Sequence, residues 1–531
     1  MDSTARHILA LSRRGALRGG LGLAALAALQ PSAARQAWAQ PRFDADPFAL
    51  GIASGDPWPD GVVLWTRLAP EPLAPGGGMP KRAVPVRWAV AEDAAMRRVV
   101  QQGEALARPE LGHAVHVELS GLRPGRPYWY RFQAGEALSR IGRTRTAPAA
   151  DAAPAALRFV NAGCQNYEQG HFTAWRHVAE EEALDFVFHY GDYIYEGGAR
   201  GGQPRRHNGA ETYSLDEYRA RYALYKLDPD LAAAQAAHPF LHSFDDHEVD
   251  NNWAGEFSEE DGSRPDRPGV PPEIFALRKQ AAFQAWYEHM PLRRAQLPRG
   301  PAIQAWRGLR FGGLLEVAVL DTRSGRTDQP CGDTTAAPCE GWADPAARMM
   351  DPAQEAWLLD RLRPGRARWQ LLAHQVPILR RDFGGPGAPR WAMDKWDGYP
   401  AARERLLAHV EAVRLPGLLA VSGDVHAAWA GTLHRDAAGP EGPALGCEFT
   451  ATSISSGGDG SEQLSSTPRV MAQNPHLAFF NNRRGYTLHE LGPDRMTARF
   501  RALAEVTRPG AAREDRGALV VEHGASRLLP G

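Results

Sequence analysis

The stretch "FVFHYGDYIYEGG" (residues 186–198) begins as a run of aromatic and β-branched residues and breaks at Gly191. Asp192 and Tyr195 follow, three residues apart. The apolar run bounded by a glycine reads as a buried strand. What comes after it admits two readings. Asp is a common turn residue, so a polar loop after a strand is ordinary. A carboxylate and a phenol at the end of a buried strand are also a pair of metal ligands. The rest of the chain has to separate these readings.

Moving outward, the same arrangement recurs. Cys164 follows "LRFVNAG", and Asp246, His247 and Glu248 follow "FLHSFD". His374 follows "WQLLA", and Asp424 and His426 follow "LLAVSG". Helical stretches lie between these runs, near "GHFTAWRHVAEEE", "PPEIFALRKQAAFQAWYEHM", "DPAQEAWLLDRL" with its Asp N-cap signal, and "GYPAARERLLAHVEAV". Strands alternating with helices predict an α/β layered domain. In open α/β sheets ligands bind beyond the carboxyl ends of the strands, where all these polar residues fall. Each has an ordinary alternative. Cys164 alone is a small buried hydrophobe, "DDHE" a solvated loop, "GDVH" a turn before a surface histidine, and His374 a core histidine. Five such strand ends in one domain predict convergent ligands. His113, His189 and His409 lie off these strand ends and are not site candidates.

Upstream the pattern differs. "GVVLWTRL", "VPVRWAVAED", "HAVHVELSGL" and "PYWYRFQAG" are short alternating runs separated by Pro and Gly turns, which predict a small β-sandwich of the fibronectin type III kind over residues 40–150. "TAPAADAAPAA" (residues 146–156) reads as a linker. The catalytic domain is then expected over residues 155–531, ending in a closing hairpin, "RGYTLHELGPDRMTARFRAL".

Residues 1–39 read as an export signal outside the fold. Arg13 and Arg14 follow Ser12, a weakly apolar stretch covers residues 21–29, and Ala37, Trp38 and Ala39 form a small-x-small cleavage pattern. The apolar stretch is too short to span a bilayer. The paired arginines resemble a Tat signal, which implies the Tat translocase as a partner and a periplasmic or secreted destination. Tat exports folded chains, which suits a protein loaded with a cofactor before export.

A chain of 531 residues predicts two or more domains. A net charge of −1 gives no reason to expect nucleic acid or an anionic membrane as partner. No later segment has eighteen consecutive apolar residues, so no transmembrane anchor is expected, and nothing calls for more than a monomer. Four cysteines are too few for a disulfide scaffold, but Cys331 and Cys339, eight residues apart, suit a loop disulfide in an exported protein. Cys447 begins a buried-looking strand and is expected to be inert.

The motifs "GDYIY", "DDHE", "LLAH" and "GDVH", in this order, resemble the calcineurin-like metallophosphoesterases. Within them the chain is similar to the alkaline phosphatase D (PhoD-like) family, with purple acid phosphatases more distant. "GIASGDPWPDGVVLWTR", "GCQNYEQG", "LDTRSGRTDQPC", "WDGYPAARERLL" and "FTATSISSGGDG" extend the resemblance over nearly the whole chain. It implies a four-layer αββα catalytic sandwich behind an N-terminal β-sandwich. It also implies that Asp192 bridges two metals, with Tyr195, Cys164 and His426 completing an Fe(III) site. Asp246 and Asp424 would bind a second metal, implied to be Ca²⁺, one or more, with His374 as a further ligand. His247 would act on the phosphoryl group or the leaving oxygen, oriented by Glu248. Arg323 is expected to be a phosphate or structural contact and not catalytic.

The residue chemistry agrees with this ligand set. Phenolate and carboxylate are hard anionic donors suited to Fe(III), and a coordinated thiol is readily deprotonated. Ca²⁺ takes oxygen ligands without demanding rigid geometry, whereas an all-zinc site normally has more N and S donors. The expected activity is hydrolysis of phosphomonoesters, phosphodiesters, or both, at alkaline pH. A phospholipase D-like phosphodiesterase is the nearest alternative, and a non-catalytic secreted binding protein the rival from another class.

Overall fold

The computed structural model describes residues 4–10, 42–260, 269–385, 387–436 and 442–531. Arg13, Arg14 and the cleavage pattern around Trp38 lie outside the described residues. Residues 4–10 differ from the expectation that the leader stays apart from the fold. They form a helical stretch whose Ala5 and Ile8, three apart and so on one face, are buried against the helical side of the catalytic core.

Two sheets make the centre of the molecule. In the larger one, Leu157–Ala162, Phe186–His189 and Pro239–His242 run parallel and side by side. In the smaller one, Leu315–Val319, Trp369–Ala373, Leu418–Ser422 and Gly446–Thr450 are parallel neighbours. Strand alternation sends successive side chains to opposite faces. Phe159, Phe186 and Phe188 therefore meet Val317, Leu371, Leu419 and Phe449 between the sheets. Val160, Val187 and Phe240 point the other way, toward helices Thr173–Glu180, Leu215–Lys226, Pro229–Ala237 and Pro272–His289. Ala318, Leu372 and Ala420 face helices Pro352–Arg361 and Pro400–Ala412. The result is the αββα sandwich. Its strands read as continuous apolar runs because both of their faces are covered.

Asp351 caps Pro352–Arg361 by accepting from the Gln354 backbone N–H at 2.9 Å. Three helices escaped the sequence reading, among them the short Thr467–Gln473. Leu215–Lys226 starts at a capping box between Ser214 and Glu217, and Pro229–Ala237 at an Asp228 cap.

The N-terminal strands do not stand apart from the catalytic sheet. Strands Val84–Ala91, Val99–Ala107 and Pro127–Ala134 belong to a separate small sheet. They pack through Val86, Val90, Tyr130 and Phe132 onto Val62, Leu64, Val115 and Val117 of a second layer. That second layer continues the larger central sheet, because Ile52–Trp58 pairs in parallel with Pro239–His242 (Ser54 opposite Pro239). The predicted closing hairpin is likewise drawn inward. Gly485–Leu491 pairs with Arg495–Leu503 and also, antiparallel, with Leu157–Ala162. Cys331 and Cys339 form a disulfide, closing a loop whose Thr335–Ala336 pairs with Trp391–Ala392.

Candidate metal centre

The parallel strands of both sheets end at one edge, and the predicted residues follow them there. Cys164, Asp192, Asp424 and His426 all have left-handed backbones, with φ of 49°, 54°, 69° and 54°. Non-glycine residues rarely adopt this conformation, and strain of this kind concentrates at functional sites. Two glycines allow the strand ends to crowd together. A Cβ on Gly191 would lie 2.5 Å from the Asp245 backbone nitrogen, and one on Gly423 would lie 2.1 Å from the Tyr190 ring. Gly191 thus lets the Asp192 loop press against the "DDHE" loop.

Four predicted donors converge. The Tyr195 hydroxyl lies 2.9 Å from Asp192 Oδ2 and 3.1 Å from His426 Nε2. Cys164 Sγ lies 3.1 Å from the same Asp192 oxygen. Ser456 Oγ reaches the Tyr195 oxygen at 2.7 Å and also bonds the Cys164 carbonyl oxygen at 2.8 Å. Asp192 Oδ1 is buried and has no hydrogen-bond partner, an arrangement costly in the absence of a cation.

A carboxylate group adjoins this cluster. One ligand atom each from Cys164, Asp192 and His426 lie within 4.8 Å of one another, as do those from Asp192, Asp246 and His247, and from Asp245, Asp246 and Asp424. Asp246 accepts from the backbone N–H groups of His247 (3.0 Å) and Asn252 (2.8 Å). Beneath the acids, the buried Arg323 binds Asp245 at 2.6 Å and Asp394 at 2.8 Å. Its free Nη2 lies 3.6 Å from both Asp246 and Asp424. Removing one partner of a buried pair of this kind costs about 3–5 kcal/mol. Arg323 is thus a structural contact to the acids and is too deeply buried to meet substrate.

His247 lies in the same pocket, but its partner is not the expected one. Nδ1 bonds Glu196 Oε2 at 2.7 Å, and the imidazole packs on the Tyr195 ring at 4.0 Å between centroids. Glu248 instead accepts from the backbone N–H groups of Asp192 (3.1 Å), Tyr193 (2.6 Å) and Asp245 (2.8 Å). It therefore holds two candidate ligand loops together and does not orient His247. His374 joins none of the three groups among the described residues. It is fully buried, 3.6 Å from Glu448, and edge-on to Trp396. Its backbone N–H still donates to the Val421 carbonyl at 3.0 Å, so the residue stays on the sheet.

The electrostatics are those of a site that holds anions together. Burial, then the charge of Asp192, pushes the Cys164 thiol and the Tyr195 phenol well above their usual ranges. Burial and then Asp246 raise Asp192. Asp246 moves the other way. Burial opposes its ionisation, but Arg323, His247 and Lys395 together hold it well below the usual carboxylate range. Burial keeps His426 neutral, its pKa lowered to about 3, which leaves one ring nitrogen a lone pair for coordination. A cation among Asp192, Tyr195 and Cys164 would stabilise all three anionic forms. The donor set therefore fits hard cations.

Asp245, Glu196, Asp394 and Lys395 belong to the site without having been singled out from the sequence. Asp245 had a signal, since it precedes Asp246 in the quoted "DDHE". Glu196 directly follows Tyr195 in the opening stretch. Asp394 and Lys395 follow no strand of the central sheets and had none.

The chain is similar to known proteins over most of its length. A PhoD-like phosphatase family model matches residues 159–500, and the PhoD-like phosphatase N-terminal domain matches residues 32–148. The chain belongs to the PhoD-like phosphatase family. Alkaline phosphatase D of Bacillus subtilis (strain 168) is 45% identical over 489 residues, covering 91% of this chain and 82% of that protein. A solved structure of PhoD superimposes with a TM-score of 0.89 at 44% identity, over 92% of this chain and 93% of that one. This PhoD-like chain is accordingly a phosphoric ester hydrolase, and the non-catalytic binding role does not apply. No helix among the described residues is long and apolar enough to cross a membrane.

Proposed function

We propose that this PhoD-like phosphatase is an exported, metal-dependent enzyme. It hydrolyses phosphomonoesters, phosphodiesters, or both, with Fe(III) and one or more Ca²⁺. The observation that carries this reading is the convergence of Cys164, Tyr195 and His426 at Asp192, whose Oδ2 meets the thiol and the phenol and whose buried Oδ1 has no partner, beside an all-carboxylate group. Cys164, Tyr195 and His426 would hold the iron, Asp246 and Asp424 the calcium, and Asp192 both. His374, which joins none of these groups among the described residues and lies beside Glu448, is left with a core role. Bound there, the cations would supply Lewis acidity toward phosphoryl oxygens and acidify a water.

The remaining work falls to side chains of this chain. Glu196 takes the Nδ1 proton of His247 in a hydrogen bond, which leaves Nε2 to meet the phosphoryl group or protonate the leaving oxygen. A positioned imidazole contributes about 10²–10⁴-fold in such a role. Glu248 fixes the backbone of Asp192 and Asp245, so the two carboxylates keep their spacing as substrate charge enters. The Tat reading of Arg13 and Arg14 supports export.

Substrate class is tested by offering the purified protein a nitrophenyl phosphomonoester, a nitrophenyl phosphodiester and a phosphatidylcholine vesicle side by side. Release of nitrophenol from either ester above the vesicle rate is the expected result. Free choline as the dominant product would move the enzyme to the phospholipase D-like alternative.

A further inference from the structure

Lys395 is a cation that the proposed mechanism does not use. Its ammonium lies 2.5 Å from Asp424 Oδ2 and 2.9 Å from Asp394 Oδ2, and its side chain is 12% exposed. The other oxygen of Asp424, Oδ1, is the one 3.6 Å from Arg323, and Asp424 offers a ligand atom to the group with Asp245 and Asp246. Asp394 also divides its oxygens. Oδ1 is taken by Arg323, Arg326 and Gln329, each at 2.8 Å, and only Oδ2 meets the lysine. The ammonium therefore bridges two carboxylate oxygens at ion-pair distances, in the position between them that a divalent cation would take. The backbone holds it in place: the Lys395 N–H donates to the Ala392 carbonyl at 3.0 Å, and Ala392 pairs with Thr335 in the disulfide-closed loop.

We infer that Lys395 is a built-in cation of the centre, its ammonium standing at the Asp394–Asp424 edge where a further divalent ion would otherwise bind. The inference rests on the proposed metal dependence. The charges lead to it directly. Asp245, Asp246, Asp394 and Asp424 crowd one side of the site, and among the described residues Arg323 and Lys395 are the cations paired with Asp424. Arg323 is fully buried and tied on several sides. Lys395 reaches the acids from the rim, its side chain 12% exposed. Without it, two mostly buried carboxylate oxygens would face one another unpaired, an arrangement that binds a divalent cation or takes up a proton. With it, the fixed positive charge opposes any second cation at the same edge.

The test is calcium binding by equilibrium dialysis, with bound metals counted by mass spectrometry, on the full protein and on Lys395→Gln, Lys395→Met and Lys395→Arg. The Gln and Met variants should bind one more Ca²⁺ per chain than the parent, or bind the weakest Ca²⁺ at least about tenfold more tightly. Lys395→Arg keeps the charge and should match the parent count. Unchanged stoichiometry and affinity in both neutral variants would overturn the inference. So would a loss of Ca²⁺, which would make Lys395 a positioning residue for Asp424. Having two neutral variants guards against one failing to fold. A parent protein that binds no metal would overturn the proposed centre and this inference together, whereas failure of the inference alone appears only in the variants.

Discussion

The Tyr195 hydroxyl oxygen lies 2.9 Å from Asp192 Oδ2, although the two residues are separated by only one turn of loop. That contact answers the question posed by residues 186–198. The phenol and the carboxylate address one point in space, which His426 and Cys164 also reach.

Tyr195→Phe keeps the ring, which packs on His247, and deletes only the donor oxygen. If iron binds there, the parent protein should be coloured by a phenolate charge-transfer band that shifts or disappears in the variant. Cys164→Ser separates any thiolate contribution. An iron-loaded protein whose visible spectrum is unchanged by Tyr195→Phe would return Tyr195 to the status of an aromatic loop residue.

The strand ends were legible because strands covered on both faces are mainly apolar, so carboxylate, imidazole and thiol residues recurring just beyond several of them mark one sheet edge. That logic found Cys164, Asp192, Asp246, Asp424 and His426. It misled at His374, where the polar residue after the strand remains in the core beside Glu448. It was silent on Asp394 and Lys395, which arrive on a turn held by the disulfide-closed loop. It also misassigned the partner of His247. Glu248 is the sequence neighbour, but the backbone bends so that Glu248 meets three N–H groups while Glu196, 51 residues away, meets the imidazole. The pairing of Ile52–Trp58 with Pro239–His242 joins segments far apart in the chain, and no local pattern encodes it.

His247→Ala should retain bound metal and lower kcat by about 10²–10⁴-fold, the usual range for a lost acid or base. Glu196→Gln should produce a smaller fall, because the imidazole remains and only its orienting carboxylate is changed. Metal analysis alongside the kinetics decides the role. A His247→Ala protein that has lost its metals would make His247 a ligand.

Replacing Arg13 and Arg14 together by Lys should leave the precursor unprocessed in the cytoplasm if the leader is a Tat signal. N-terminal sequencing of exported parent protein should start at Gln40. Undiminished export of the double variant would remove the Tat assignment while leaving the catalytic centre untouched.

The most direct measurement is phosphoester hydrolysis before and after removal of divalent ions from the purified protein with a calcium-selective chelator, with bound iron and calcium quantified at each stage. The carboxylate group of Asp246 and Asp424 beside Asp192 predicts that activity falls with the calcium content and returns when Ca²⁺ is restored. Full activity after calcium is gone, or recovery with Zn²⁺ alone, would contradict the account.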